Sequence, residues 1–196
     1  MKNSLEEYFP YNLLALIVLA IFYGIYFGKM LVQKQHGIRT HQIGRRKEKG
    51  LHMVETLMSI ATFGAPIAQL LSIALEWNHL PANARFTGFC IGMLGDVIFL
   101  ISVLCMRDSW RAGIPDKDKT CLVTTGIYRY SRNPAFLGFD LQYIGVLLMY
   151  CNLLTAGFTV FAIVMLHLQI LQEEKYLTRT FGTAYTDYCR DVRRYL

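Results

Sequence analysis

Apolar residues in this chain come in runs long enough to cross a lipid bilayer, at about 11–32, 53–75, 87–106, 135–150 and 153–171. A spanning helix needs roughly 20 mostly apolar residues, and the first three runs meet that length. The fourth is short, and only Cys151 and Asn152 separate it from the fifth, so the two read as a tight antiparallel hairpin. In lipid the backbone must satisfy its own hydrogen bonds, which leaves helices as the spanning structure. The expectation is an all-α, polytopic membrane helical bundle of about five transmembrane helices, with four plus a re-entrant segment as the alternative. Only 17% of the 196 residues are charged, against about 25% in an ordinary soluble domain.

The positions of the charges set an orientation. Lys34, Arg39, Arg45, Arg46, Lys47 and Lys49 lie between the first two runs, and Arg107, Arg111, Lys117, Lys119, Arg129 and Arg132 between the third and fourth. Lys175, Arg179, Arg190, Arg193 and Arg194 follow the fifth, while the opposite side keeps Lys2 and Arg85. Alternating spans put the basic segments on one face, which the positive-inside rule makes cytoplasmic. The N-terminus is then outside and the C-terminus inside, in a bacterial inner membrane or an endoplasmic reticulum. The net charge of +6 is thereby a topology signal, and nucleic acid is not the expected partner. The five cysteines show no CxxC and no ligand spacing with histidine, so no metal is expected. The first ten residues lack the basic start and small-residue cleavage site of a signal peptide, and the first span is expected to be retained.

The chain reads as one integral membrane domain, 1–196, with two N-terminal spans and a basic loop in 1–82 and a C-terminal core in 83–196. Gly88, Gly92 and Gly95, and likewise Gly24 and Gly28, form small-residue stripes suited to close helix packing. After the fifth run, Leu177, Phe181, Tyr185 and Tyr188 recur at helical spacing among charges, predicting an amphipathic helix on the cytoplasmic face or the membrane surface, with Gly182 as its candidate break. Glu55 and Trp110 read as interfacial residues, with a cofactor contact as the alternative for Trp110.

The densest signal is SWRAGI at 109–114, LVTTGIYRYSRNPAFLG at 122–138 and EEKYLTRTFGTAYTDY at 173–188. Asn133-Pro134 is a helix start, since Asn is a favoured N-cap and Pro a favoured first residue. A helix beginning there offers free N–H groups beside Arg132. Its antiparallel partner should end nearby with free carbonyls, reinforced by Glu173 and Glu174. Charge of both signs then faces one region.

In order and spacing, Gly126, Tyr128, Arg132, Asn133, Pro134, Phe136, Gly138, Glu173, Glu174, Phe181, Gly182 and Tyr185 resemble the superfamily of isoprenylcysteine carboxyl methyltransferases and phospholipid N-methyltransferases. The resemblance covers the C-terminal 90 or so residues. It implies an S-adenosylmethionine-dependent methyltransferase acting on a lipophilic acceptor from the bilayer, an isoprenylcysteine carboxylate, a phospholipid amine or similar. It places Gly126, Tyr128, Arg132, Asn133, Pro134, Phe136, Glu173, Glu174 and Tyr185 at the cofactor, with Arg132, Glu173 and Glu174 as the catalytic set. Asn133 stands where prenylcysteine-type members often carry histidine, and Phe136 where many carry tyrosine, which leans away from that acceptor.

Three polar residues inside the apolar runs are candidates for the substrate. Asp96 is an intramembrane carboxylate, Asp140 lies two turns into the fourth run, and His167 shares a helix face with Glu174. Each also has a plain structural reading as a paired or neutral packing group. Two other function classes compete: a membrane steroid or enone reductase using NADPH, whose RHPNYxGE-like motif this chain departs from at Asn133, Ala135, Phe136 and Phe139-Asp140, and a non-catalytic membrane scaffold.

Overall fold

The computed structural model describes residues 10–38, 49–110 and 121–196, with the backbone alone for 49–52. Most of the basic loop at 36–50, Arg111 and the first nine residues lie outside the described residues. The described chain is helical: α1 Tyr11–Gln35, α2 Lys49–Ala74, α3 Ala82–Met106, α4 Pro134–Met149, α5 Leu153–Phe181 and α6 Thr183–Asp191. Short 3-10 turns occupy Arg107–Ser109 and Gly126–Arg129. The fold is a polytopic membrane helical bundle.

Of the five expected spans, four form helices of full spanning length and the fourth run forms a shorter apolar helix. Among the described residues, α1, α3, α5 and the Met53–Ala74 portion of α2 are long and apolar enough to cross a membrane. The 16 residues of α4 rise about 24 Å, short of a hydrocarbon core of roughly 30 Å.

The hairpin expected from the fourth and fifth runs forms at its turn and parts above it. Asn152 caps α5, its Oδ1 accepting from the N–H groups of Leu154 at 2.9 Å and Thr155 at 3.0 Å, while Thr155 Oγ1 accepts from Asn152 N at 3.2 Å. The Asn152 amide also donates to Ser72 Oγ at 2.9 Å and Trp77 O at 3.0 Å, tying the turn to the end of α2. Beyond that turn the chief partner of α4 is α3, and that of α5 is α2.

A glycine seam explains the α3–α4 choice. A Cβ on Gly88 would lie 2.5 Å from Gly145 O, one on Gly145 2.5 Å from Gly92 N, and one on Gly95 2.7 Å from Gly138 O. The two backbones touch where no side chain fits, which is how helices associate strongly in lipid. On the other side, Ala61 and Ala65 of α2 and Ala162 of α5 are buried in one cluster with Met58 and Leu166. Gly24 and Gly28 do not repeat the pattern: both are exposed, and nothing lies within 4 Å of a Cβ at either.

At the end of the bundle where α3 begins, Arg85 places its guanidinium 4.2 Å from the Tyr11 ring centroid and 4.9 Å from that of Tyr150. Its Nε donates to Met149 O at 3.1 Å, closing the last turn of α4 against α1 and α3. At the other end α5 does not stop where its apolar run does. Residues 172–181 contain no strong helix breaker, so the helix propagates to Phe181 and Gly182 ends it at φ +55°. The expected amphipathic segment is therefore divided. Leu177 and Phe181 extend α5, and Tyr185 and Tyr188 form the buried face of α6.

The seam carries a direct expectation. Gly145→Val should lower stability by about 1–3 kcal/mol or more through overpacking, read as a fall in the thermal midpoint of detergent-purified protein. Gly24→Ala should leave that midpoint unchanged or raise it slightly.

Candidate functional site

The ends of α3 and α5, the start of α4 and the body of α6 meet at one end of the bundle. The turn Gly126–Arg129 brings the chain there. Gly126 has φ +64°, and a Cβ on it would sit 2.7 Å from Cys105 Sγ, so the position requires glycine for both conformation and space. Tyr188 locks the turn to α6, its hydroxyl donating to Tyr128 O at 2.5 Å.

The start of α4 differs from expectation in one respect. Pro134 takes the first helical position, but the Asn133 side chain makes no cap bond. Instead Asn133 Nδ2 donates to Arg194 O at 3.1 Å, and its backbone N–H donates to Ser131 Oγ at 3.1 Å. The free carbonyls of α5 also lie two turns past Glu173 and Glu174, because the helix runs on to Phe181.

Residues 189–194 return across this helix start. Arg132 N donates to Arg193 O at 3.0 Å, and Arg132 Nη1 donates to Val192 O at 2.9 Å and Cys189 O at 3.1 Å. Arg132 Nη2 donates to Glu174 Oε1 at 2.8 Å. Arg194 takes the same carboxylate as a fork, Nη2 to Oε2 at 2.7 Å and Nε to both oxygens at 3.1 Å. The side chains of Arg132 and Glu174 are 11% and 15% exposed, so the pairing is shielded from water. Partial burial works against the charged form of Arg132, yet the bond and charge of Glu174 hold its basicity above the ordinary arginine value.

Beside this cluster lies a cavity of about 110 Å³. Of the expected cofactor residues, Tyr128, Arg132, Asn133, Phe136, Glu173 and Tyr185 line it. Gly126, Pro134 and Glu174 stand behind that wall, shaping the turn, the helix start and the arginine pair. Two groups on the wall are polar and little used. Arg132 Nε is buried without a hydrogen-bond partner among the described residues, and Glu173 accepts from Gln169 Nε2 at 3.2 Å. Burial first, then the charges of Tyr188 and Glu173, push the Tyr128 phenol well up, and burial pushes Tyr188 up to about 12.

Asp96, Asp140 and His167 are not brought to the cavity. Asp96 is 1% exposed with neither carboxylate oxygen partnered among the described residues, and Asp140 Oδ1 is in the same state. His167 Nδ1 is 2.6 Å from the Tyr195 hydroxyl, with the two rings stacked.

Trp110 takes the place that was its alternative reading, and Arg194 carries a part that the sequence did not assign. Trp110, expected at the membrane interface, is buried edge-on to Tyr26 at 5.6 Å and lines the cavity. The aromatic-rich first helix (Tyr23, Tyr26, Phe27) was the available sign of such a neighbour. Arg194 was read as one of several topology charges, and nothing local distinguishes it from Arg193. Glu55 is likewise fully buried rather than interfacial.

Residues 86–184 match the model of the phospholipid methyltransferase family. The chain is similar to a probable protein-S-isoprenylcysteine O-methyltransferase of Oryza sativa subsp. indica, 31% identical over 76% of this chain and 81% of that protein. It is similar to a protein-S-isoprenylcysteine O-methyltransferase of Dictyostelium discoideum, 24% identical over 65% of this chain and 57% of that one. A shorter match, 36% identical over 36% of each chain, is to protein-S-isoprenylcysteine O-methyltransferase A of Arabidopsis thaliana.

Tyr188→Phe should destabilise the protein by about 0.5–1.5 kcal/mol, read by thermal unfolding at neutral pH. An unfolded tyrosine titrates near 10 and Tyr188 near 12. The folded state therefore keeps a proton that the unfolded state has lost, and stability from this group falls as pH rises across that window. The gap between wild type and variant should shrink accordingly between pH 10 and 12.

Proposed function

Because the chain belongs to the phospholipid methyltransferase family and is a methyltransferase, we propose that it is membrane-embedded and moves a methyl group from S-adenosylmethionine to a lipophilic acceptor. One observation carries the cofactor reading: motif residues some 40 positions apart in the chain converge on a single cavity lined by the acid Glu173, the guanidinium side chain of Arg132 and five aromatic rings.

S-adenosylmethionine supplies an electrophilic methyl on a sulfonium, beside an α-amino acid group, a ribose and an adenine. The residues present fit those parts. The Arg132 Nε–H and the first N–H groups of α4 suit a carboxylate. Glu173 suits an ammonium or ribose hydroxyls, and Tyr128, Phe136 and Tyr185 offer ring faces to a cation or a base. Glu174 acts one step back, by orienting Arg132. The enclosed volume would take one moiety of such a ligand, with the remainder at its mouth. Methyl transfer needs alignment and exclusion of water more than covalent help, and a buried wall of aromatic and aliphatic side chains provides both. A carboxylate acceptor requires no base, whereas an amine must lose a proton. This reading gives no step to Asp96, Asp140 or His167.

The names of the relatives support an isoprenylcysteine carboxylate as acceptor, and the name of the family a phospholipid amine. The basic residues at the site's end of the bundle, Arg107, Arg129, Lys175 and Arg179 among them, support a cytoplasmic site with the N-terminus outside.

Detergent-purified protein should bind S-adenosylmethionine saturably, and Glu173→Gln should weaken that binding about tenfold or more while the protein stays folded. Labelled methyl donor should then mark either a prenylcysteine analogue or an aminophospholipid. Saturable binding of NADPH in its place would overturn the methyltransferase cofactor and favour a reductase.

A further inference from the structure

Arg132 has five N–H donors, and the structure accounts for their use unevenly. Nη1 is held by the carbonyls of Cys189 and Val192, and Nη2 by Glu174. Of the three guanidinium nitrogens, Nε alone is left without a partner among the described residues, in a side chain that lines the cavity. A carboxylate normally prefers to grip a guanidinium through two parallel bonds. Glu174 does not grip Arg132 that way, because its fork is already filled by Arg194. Arg132 receives the end-on share through Oε1 alone.

We propose that Arg194 is a positioning residue for the methyl-transfer site: by occupying the fork of Glu174, it keeps the carboxylate from closing on Arg132 and so reserves the Arg132 Nε–H for a ligand. The proposal rests on the cofactor reading above and adds to it a residue outside the cavity wall. The backbone around Arg194 fits this part. Its carbonyl accepts from Asn133 Nδ2 at 3.1 Å and from Ser131 Oγ at 3.4 Å, and the neighbouring Tyr195 hydroxyl is fixed on His167 at 2.6 Å. The guanidinium is thus carried on a segment pinned on both sides of it. Without Arg194, Glu174 is free to turn, take Arg132 through two bonds and occupy the Nε–H itself. A lysine in its place offers a single point charge and no fork, so it restores charge balance but only part of the geometry.

The test is equilibrium binding of labelled S-adenosylmethionine to full-length, detergent-purified protein, with steady-state kinetics and thermal unfolding beside it. Arg194→Ala should raise the dissociation constant and KM for S-adenosylmethionine about tenfold with kcat changed less. Arg194→Lys should fall between it and wild type. Affinity unchanged in Arg194→Ala would overturn the proposal. So would losses in Arg194→Ala and Arg194→Lys that merely follow their thermal midpoints, which would make the residue a structural brace. If Arg194→Ala does not fold, Arg194→Gln carries the same comparison, and wild-type affinity there is again fatal. Failure of wild type to bind S-adenosylmethionine at all would instead sink the cofactor reading and this proposal with it.

Discussion

Contact between two backbones along the α3–α4 seam governs much of what surrounds it. In lipid there is no hydrophobic gain in bringing apolar helices together, so close van der Waals approach must supply the association. Gly88 and Gly95 face Gly145 and Gly138 at distances where any side chain would collide, Gly145 abuts the backbone of Gly92, and a Cβ on Gly92 would itself meet Val18 of α1. The short α4 is therefore held by a neighbour that could span by itself. Fixing α4 fixes its first turn, and with it Arg132, Asn133 and Phe136 at the cavity wall. The charged residues there are then paired locally: Glu174 lies between two arginines, and two backbone carbonyls of the returning chain accept from Nη1 of Arg132. A buried ion pair of this kind gains little net stability over an apolar one, but loss of a single partner is costly. Its worth here is placement.

Several elements could be read directly from the amino-acid order. The apolar runs located α1, α2, α3 and α5, the Asn133-Pro134 pair located the start of α4, and Gly182 located the break before α6. The motif residues Tyr128, Arg132, Phe136, Glu173 and Tyr185 were expected together and do share one cavity. These features are local: caps, breakers, run lengths and spacings are properties of a few neighbouring residues.

What escaped was decided across the chain. The turn between α4 and α5 was legible, yet whether those helices pack on one another depended on glycines in α3 that are silent about their partner. Asn133 looked like a cap and instead holds a carbonyl 61 positions away. Trp110 looked like an interfacial ring until the aromatic faces of Phe22, Tyr26 and Phe99 enclosed it. Arg194 and Glu174 are 20 residues apart, and no periodicity links them. Each case turns on which surface a helix is offered, a quantity that exists only once the bundle is assembled.

The crossed partnership of the helices has a consequence for the order in which the bundle can be made. α4 finds its mate in the segment just before it, so that pair can close as soon as both have entered the bilayer. The mate of α2 is α5, which emerges from the ribosome only after α3 and α4. Until then the face of α2 that carries Ala61, Ala65 and Met58 lacks its main partner. Such a delayed, non-local closure is the slow part of assembly. The last of the long apolar helices thus closes the scaffold and brings Glu173 and Glu174 to the candidate site in one event, and a chain interrupted before it has neither.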